Sequence, residues 1–304
     1  MNKVNIKIKK ILNNNKKLAK CLICNSKKIS FFVNKYKWNM DRCLKCGLIF
    51  TNPYPSNDQI NYYYSSEMKE FENNFFKETY NERTNLFLPR AKIIAKLLRN
   101  KGNLLDIGSG IGIFINSMNK ISSKLHITAC DINEEAIIEI NSSFPQVNTL
   151  NCDLKDINED VKYDCITLWD TFEHLVDPKI LLKKASNLLK KNGYLILSTP
   201  NTLSLEWMVA GNEHVQILPP GHVNLYNTKN IEIILKKKFV IKEIYTLNGV
   251  LDVTYLEKFL SKKDDLLSLF WKELLKDKKN SNQIIKMISK SNFAGNMMVV
   301  CQKK

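Results

Sequence analysis

Arginine is nearly absent from this chain: of 46 basic side chains, 42 are lysine and only four are arginine. Nucleic-acid readers lean on the planar arginine fork for phosphates and base edges, so the shortage argues against a dedicated nucleic-acid binder. Long apolar runs are missing as well. No stretch approaches the roughly 18 apolar residues that a membrane span requires. The opening residues, MNKVNIKIKKILNNN, carry charge but no apolar h-region, so no secretory signal is expected and the default compartment is the cytoplasm. There is no internal repeat. What remains is 304 residues with an apolar fraction of 44%, the profile of a globular chain of about two domains.

The net charge of +16 is unevenly spread. Residues 1–50 hold thirteen basic side chains against one acid, a net of +12, whereas residues 101–200 hold ten against thirteen, a net of −3. A smaller excess of +5 falls in 251–304. Such a lysine-rich start is either a solvated surface or a basic arm for an anionic partner.

The eight cysteines divide into two sets. Cys130, Cys152, Cys165 and Cys301 sit singly in apolar, strand-like runs, where cysteine behaves as a small buried hydrophobe. Cys21, Cys24, Cys43 and Cys46 form C-x2-C-x18-C-x2-C, the spacing of a structural zinc site. Four thiolates close a tetrahedral shell and leave no position for water, so such a zinc would be structural. Disulfides are the alternative, disfavoured in a reducing compartment. Between the pairs, SFFVNK and YKWNMD alternate as a hairpin would. This places a ribbon at 17–52, a linker or helical connection at 53–79 that starts with TNPYPSNDQ, and a larger domain over 80–304.

In the larger domain, strands and helices alternate. A helical pattern from about Tyr80 to Asn100, with Gly102 as its stop, precedes the strand NLLDI. Further strands are expected at 125–132, 147–153, 163–170 and 193–200, with helices between them. Asp177, Pro178 and Asn192-Gly193 supply the cap, first turn and stop of the helix before the fifth strand. Two late strands, 239–247 and 296–303, flank a mostly helical insertion at about 252–290. Nearly continuous apolar strands alternating with helices argue an α/β fold with a mostly parallel, doubly wound sheet.

The sharpest motif is NLLDIGSGIG. Gly108, Ser109, Gly110 and Gly112 follow the first strand directly and open a helix, at the strand end where an open α/β sheet binds its ligand. The spacing is G-x-G-x-G, and a carboxylate, Asp106, stands two residues before the first glycine. A pyrophosphate gains little from that carboxylate; a ligand bearing an amine or sulfonium gains much. Asp131 ends the second strand, placed to take both hydroxyls of a ribose, and Asp153 ends the third.

LLDIGSGIG, CDIN, NCDL and YDCITLWDTFEHLVDP, in that order, resemble the Rossmann-like class I S-adenosylmethionine-dependent methyltransferases over about 100–248. The resemblance implies a seven-stranded sheet whose last strand is antiparallel. It also implies that the methionyl part of S-adenosylmethionine lies on Asp106 and the glycine loop, the ribose on Asp131 and Ile132, and the adenine at Cys152, Asp153 and Leu154. For Cys152, core packing stands equally open. Trp169 and Asp170 would border the cofactor. His174 follows Glu173 and either braces its loop or moves a proton. GHVNLYNTKNIEIILKKKFVI is similar to the H-x-x-x-(F/Y)-(S/T/N) segment of bacterial methyltransferases acting on sugars. His222 is thereby a candidate general base or an acceptor-binding group, with His214 a further candidate in the same loop. No cluster of Asp and His in the sequence points to a catalytic metal. The ribbon, with CGLIFTNPYPS after its last cysteine, resembles one attached to methyltransferases of bacterial surface-glycan pathways.

The expected reaction is methyl transfer to a sugar hydroxyl, nucleotide-linked or in a growing glycan, with the ribbon as docking module or lid. An RNA acceptor held by the basic ribbon, a small aromatic or quinone precursor, and a non-catalytic binding module are the competing readings.

Overall fold

The computed structural model describes residues 15, 17–64, 76–121, 124–247, 259–261 and 265–304. Two sheets organise them. Strands β1 (Ile29–Lys35), β2 (Trp38–Cys43) and β3 (Ile49–Thr51) form an antiparallel meander. The large sheet contains β4 (Lys101–Ile107), β5 (Lys124–Asp131), β6 (Asn148–Asn151), β7 (Tyr163–Trp169) and β8 (Leu189–Pro200), all parallel. A two-residue strand, β9 (Asn224–Leu225), follows, then β10 (Phe239–Leu247) and β11 (Asn296–Lys303). The large sheet runs β10-β11-β8-β7-β4-β5-β6, with β11 antiparallel to both neighbours, as expected for seven strands of this class.

The helices are α1 (Asn57–Tyr64), α2 (Tyr80–Leu97), α3 (Ile113–Lys120), α4 (Glu134–Ser143), α5 (Pro178–Leu188), α6 (Leu205–Ala210), α7 (Thr228–Leu235), α8 (Leu266–Leu275) and α9 (Lys278–Lys290). Their ends follow local chemistry. Asp177 accepts from the Lys179 and Ile180 amides at the start of α5, with Pro178 at the first position. Three boundaries differ from expectation. α2 ends at Leu97 and the turn is made by Arg99 and Asn100 in left-handed backbone, so that Gly102 lies inside β4. α5 ends at Leu188, and Asn192-Gly193 falls within β8, whose register against β7 shifts there. β6 spans four residues rather than seven. Much of 65–79 and parts of the 252–290 insertion lie outside the described residues.

The ribbon is not a separate body. β3 pairs with β9, Ile49 opposite Leu225 and Phe50 opposite Asn224, so the small sheet has four strands and its edge belongs to the large domain. Cys21, Cys43, Cys46, Leu48 and Phe50 are buried in one apolar cluster with Leu168, Phe172 and Tyr226. A lid that swings freely does not share a core. The junction is polar at one point: the Asn227 and Asn230 side-chain amides both donate to the Cys46 carbonyl, at 3.3 Å each. Asn227 also caps α7, accepting from the Lys229 and Asn230 amides, while the Asn230 side chain accepts from the Asn227 amide. Replacing Asn227 by Ala is expected to cost about 1–2 kcal/mol in denaturant unfolding, because cap and junction are lost together.

Candidate active site

At the carboxyl edge of β4 the chain turns through Gly108 and Gly110, both left-handed, with φ of 69° and 52°. A Cβ on Gly108 would lie 2.5 Å from the Thr171 hydroxyl, whereas a Cβ on Gly110 would meet nothing within 4 Å. The second glycine therefore faces open space, where a ligand can approach the backbone. Gly112 caps α3, and Ser109 is buried with its hydroxyl unpartnered. Asp131 holds the loop in place: one carboxylate oxygen accepts from the Gly110 amide at 2.8 Å and the other from the Asn133 amide at 2.9 Å. Beside it Ile132 leaves 56% of its surface exposed, an apolar side chain at the rim of the cleft. Leu154 is buried, Asp153 caps the short turn after β6, and the Cys152 carbonyl accepts from the Cys130 thiol.

Asp106 is buried beneath this loop. One oxygen accepts from the Thr167 hydroxyl at 2.7 Å, and the other has no partner. Burial pushes its pKa up to about 7; the Thr167 bond works against that and the charge of Asp131 adds to it. Across the cleft Trp169 packs between Phe87, edge-on with centroids 5.4 Å apart, and Phe114 at 5.0 Å. The Arg90 guanidinium of α2 lies 4.4 Å from the Phe87 ring centre and 5.9 Å from that of Trp169. Arg90 Nε and Trp169 Nε1 are buried without partners. Orphaned buried donors and an orphaned buried carboxylate oxygen are what the two ends of an amino acid require, so the residues present fit the methionyl group of S-adenosylmethionine. Arg90 escaped the sequence reading. The signal available was scarcity: of four arginines, Arg83 and Arg90 stand seven apart on one helix.

The β7 edge carries the next group. Asp170 is left-handed with φ 47°, an uncommon conformation for a residue with a Cβ. Its carboxylate accepts from the Ser198 hydroxyl at 2.9 Å and from the Asn296 side chain at 2.8 Å. Glu173, His174 and His222 then meet, with donor atoms all within 4.8 Å of one another, although His222 comes from a loop 48 residues on. Nothing in their spacing announced this. Glu173 is buried and accepts from the Thr199 hydroxyl at 2.8 Å; burial raises its pKa well above the carboxylate range. His222 Nδ1 lies 2.8 Å from the Gln216 carbonyl and His174 Nδ1 3.0 Å from the Gly221 carbonyl. A carbonyl only accepts, so each Nδ1 carries the proton and, in the neutral ring, each Nε2 carries the lone pair. Burial lowers the His222 pKa, against pulls from Gln216 and Asp170, which keeps the ring neutral near pH 7. His214 lies apart from this cluster: its ring sits 4.2 Å from that of Trp207, its Nδ1 accepts from the Gln216 amide, and burial lowers its pKa to about 3.

The four paired cysteines come together in the ribbon. Cys21 and Cys46 Sγ lie 3.6 Å apart, Cys24 and Cys43 Sγ 3.5 Å apart, and all four are free thiols. A tetrahedral zinc at about 2.3 Å from each sulfur requires S–S edges of about 3.8 Å, so the set fits. The same turn is built twice: the Asn25 amide donates to the Cys21 carbonyl and the Gly47 amide to the Cys43 carbonyl, both turn residues left-handed.

A family model described as a methyltransferase domain matches residues 78–238, more than half of the chain. The chain belongs to the methyltransferase-domain family. Among curated relatives, the ubiquinone biosynthesis O-methyltransferase of Glaesserella parasuis is 29% identical over 153 residues, spanning 46% of this chain and 61% of the relative. The mitochondrial enzyme of that name from Candida albicans is 29% identical over 130 residues, 39% of each chain. The matches thus span about six-tenths or less of these relatives. Among solved structures, the plantazolicin methyltransferase BpumL, in complex with a substrate analogue and S-adenosylhomocysteine, superposes with a TM-score of 0.54 at 19% identity, covering 80% of this chain and 92% of that one. A methyltransferase from Archaeoglobus fulgidus gives 0.50 at 18% identity, covering 75% and 98%. At such identities they share the fold.

Two outcomes are expected. Asp106 binds its proton more tightly in the folded chain than in the unfolded one, so in the absence of ligand it lowers stability as pH rises from about 4 to about 7 and no further above that. Asp106→Asn should flatten that part of the stability–pH curve, followed by denaturant melts. Metal analysis of the purified chain should find about one zinc per chain, and Cys24→Ser should lose it.

Proposed function

We propose that this chain is an S-adenosylmethionine-dependent methyltransferase whose acceptor is a sugar hydroxyl, on a nucleotide-linked sugar or a surface glycan. The observation that carries the cofactor assignment is the set of orphaned polar atoms around the glycine loop: Arg90 Nε, Trp169 Nε1, the Ser109 hydroxyl and one oxygen of Asp106. Arg90 would take the carboxylate of the methionyl group and Asp106 its amine; Asp131 would take the ribose hydroxyls, with Ile132, Cys152, Asp153 and Leu154 around the adenine. An ammonium beside Asp106 stabilises its ionised form, which reverses the upward push of burial.

When bound, S-adenosylmethionine supplies a methyl already activated on a sulfonium. The protein's share is alignment and proton removal. Asp170, fixed by Ser198 and Asn296, borders the transfer path. His222 has its lone pair on Nε2 and is kept neutral by burial, so it is the residue to receive the acceptor proton; such a base contributes typically 10²–10⁴-fold. His174, turned by the Gly221 carbonyl and with its ring centroid 4.7 Å from that of His222, positions that ring. The ribbon zinc, on Cys21, Cys24, Cys43 and Cys46, is structural and takes no part in transfer.

The sugar acceptor is supported by the likeness of GHVNLYN and of the ribbon to glycan methyltransferases. A phenolic or quinone-precursor hydroxyl is the second reading, favoured by the names of the curated relatives. Labelled S-adenosylmethionine incubated with panels of nucleotide sugars, phenols and RNA separates them. Transfer to a nucleotide sugar is expected, and transfer to RNA alone would sink the reading. His222→Ala should lower kcat by about 10²–10⁴-fold while leaving S-adenosylhomocysteine affinity intact.

A further inference from the structure

The hairpin α8–α9, inserted between β10 and β11, carries an apolar surface that the fold leaves uncovered among the described residues. α8 reads LLSLFWKELL. Its inward side is accounted for: Ser268 and Leu275 are buried, and Trp271 packs on a cluster with Leu205, Val209 and Leu260. The opposite side of an ordinary amphipathic helix is polar. Here Leu266 is 84% exposed and Phe270 55%, with Leu269 between them on the same face and Leu267 adjacent. Met287 of α9 is 68% exposed as well.

The charge around this surface is predominantly positive: Lys272, Lys276, Lys278, Lys279, Lys286 and Lys290 stand against Asp265, Glu273 and Asp277. α9, KKNSNQIIKMISK, contains no acid, and Lys278, Lys279, Lys286 and Lys290 are exposed. The nearby carboxylates are occupied: Asp265 and Asp277 cap the two helices, accepting from the Ser268 and Asn280 amides, and Glu273 pairs with Lys276. Large exposed leucine and phenylalanine side chains beside an excess of lysine are the composition of a helix that lies in the headgroup region of an anionic bilayer. A second copy of the same face would bring lysines against lysines. The position fits too. The base of the hairpin is tied to the carboxyl edge of β8, where the Leu205 amide donates to the Phe293 carbonyl and the Asn201 amide to the Gly295 carbonyl, next to Asn296 and Asp170.

We propose that the α8–α9 hairpin docks this chain on an anionic lipid surface, with Leu266, Leu269 and Phe270 at the acyl boundary and the lysines of α9 on the headgroups. The sheet edge that carries Asp170 and Asn296 is then held toward the bilayer. That such docking serves a lipid-linked acceptor rests on the methyltransferase reading; the docking itself does not.

The test is flotation of the full chain with vesicles of phosphatidylcholine, alone or with a third of phosphatidylglycerol. The chain is expected to float with the anionic vesicles. Leu266→Ser/Phe270→Ser should cut the bound fraction at least tenfold with melting temperature and S-adenosylhomocysteine affinity unchanged, and replacing the four α9 lysines by Gln should remove the preference for phosphatidylglycerol. Three results would overturn the proposal: no flotation of the parent chain; equal flotation of parent and Leu266→Ser/Phe270→Ser; or a dimer in light scattering that this variant dissolves while vesicles stay unbound. Vesicle binding by a chain that does not bind S-adenosylhomocysteine would uphold the docking and sink only the methyltransferase reading.

Discussion

Two asparagine side chains closing on one backbone carbonyl join the cysteine ribbon to the large domain. Asn227 and Asn230 reach from the start of α7 to the Cys46 carbonyl, inside the second cysteine turn. From there the order passes along the chain. Leu225 and Asn224 pair with β3, the Thr51 amide donates to the Val223 carbonyl, and the Val223 amide donates to the Glu173 carbonyl. Tyr54 bonds Asn224, which bonds the Leu175 carbonyl in turn. The loop bearing His222 is thus clamped between the ribbon and the end of β7. A buried backbone stretch of this kind is tolerated because the amides of Thr51 and Val223 pair with the carbonyls of Val223 and Glu173.

The protein is therefore built from two halves with different supports. The half proposed to hold the cofactor rests on the parallel sheet: Asp106, Asp131 and the glycine loop are set by β4 and β5, and Asp131 accepts from the Gly110 amide. The half proposed to receive the acceptor rests on the ribbon, because among the described residues β9 pairs with β3 alone. With a zinc on its four cysteines, as proposed, this short lysine-rich segment would gain the rigidity to act as that support, since metal binding free energy is folding free energy for such a module. The cysteine turns and β9 hold the loop that carries His222 beside Glu173 and His174.

How much of this was legible follows from the range of the interactions. The parallel strands and most of their helices were readable because apolar runs and caps are local signals, whereas the antiparallel last strand followed from the family resemblance of the motifs. The glycine loop with Asp106 and Asp131 was readable because one strand end and its turn lie within a few residues. The meeting of Glu173 with His222 was not, because it is set by a loop that folds back across half the domain. The partnership of Arg90 with Trp169 was hidden likewise, since the two lie 79 residues apart and the contact is cation over ring, which leaves no pattern in spacing. The spacing of the ribbon reads as a docking module or lid; its cysteines are buried in the same core as Leu168 and Phe172, and β9 completes its sheet. Strand pairing between distant segments is the least legible of these, because a two-residue strand has no periodicity to read.

The central claim is that the orphaned atoms of Arg90, Trp169, Ser109 and Asp106 form a cradle for S-adenosylmethionine. Calorimetric titration of the full chain with S-adenosylhomocysteine tests it most directly. The account predicts saturable binding of one molecule per chain, weakened by Arg90→Gln and by Asp106→Asn while the fold is kept. A folded chain that takes up no S-adenosylhomocysteine, or one whose affinity is untouched by either change, would contradict it.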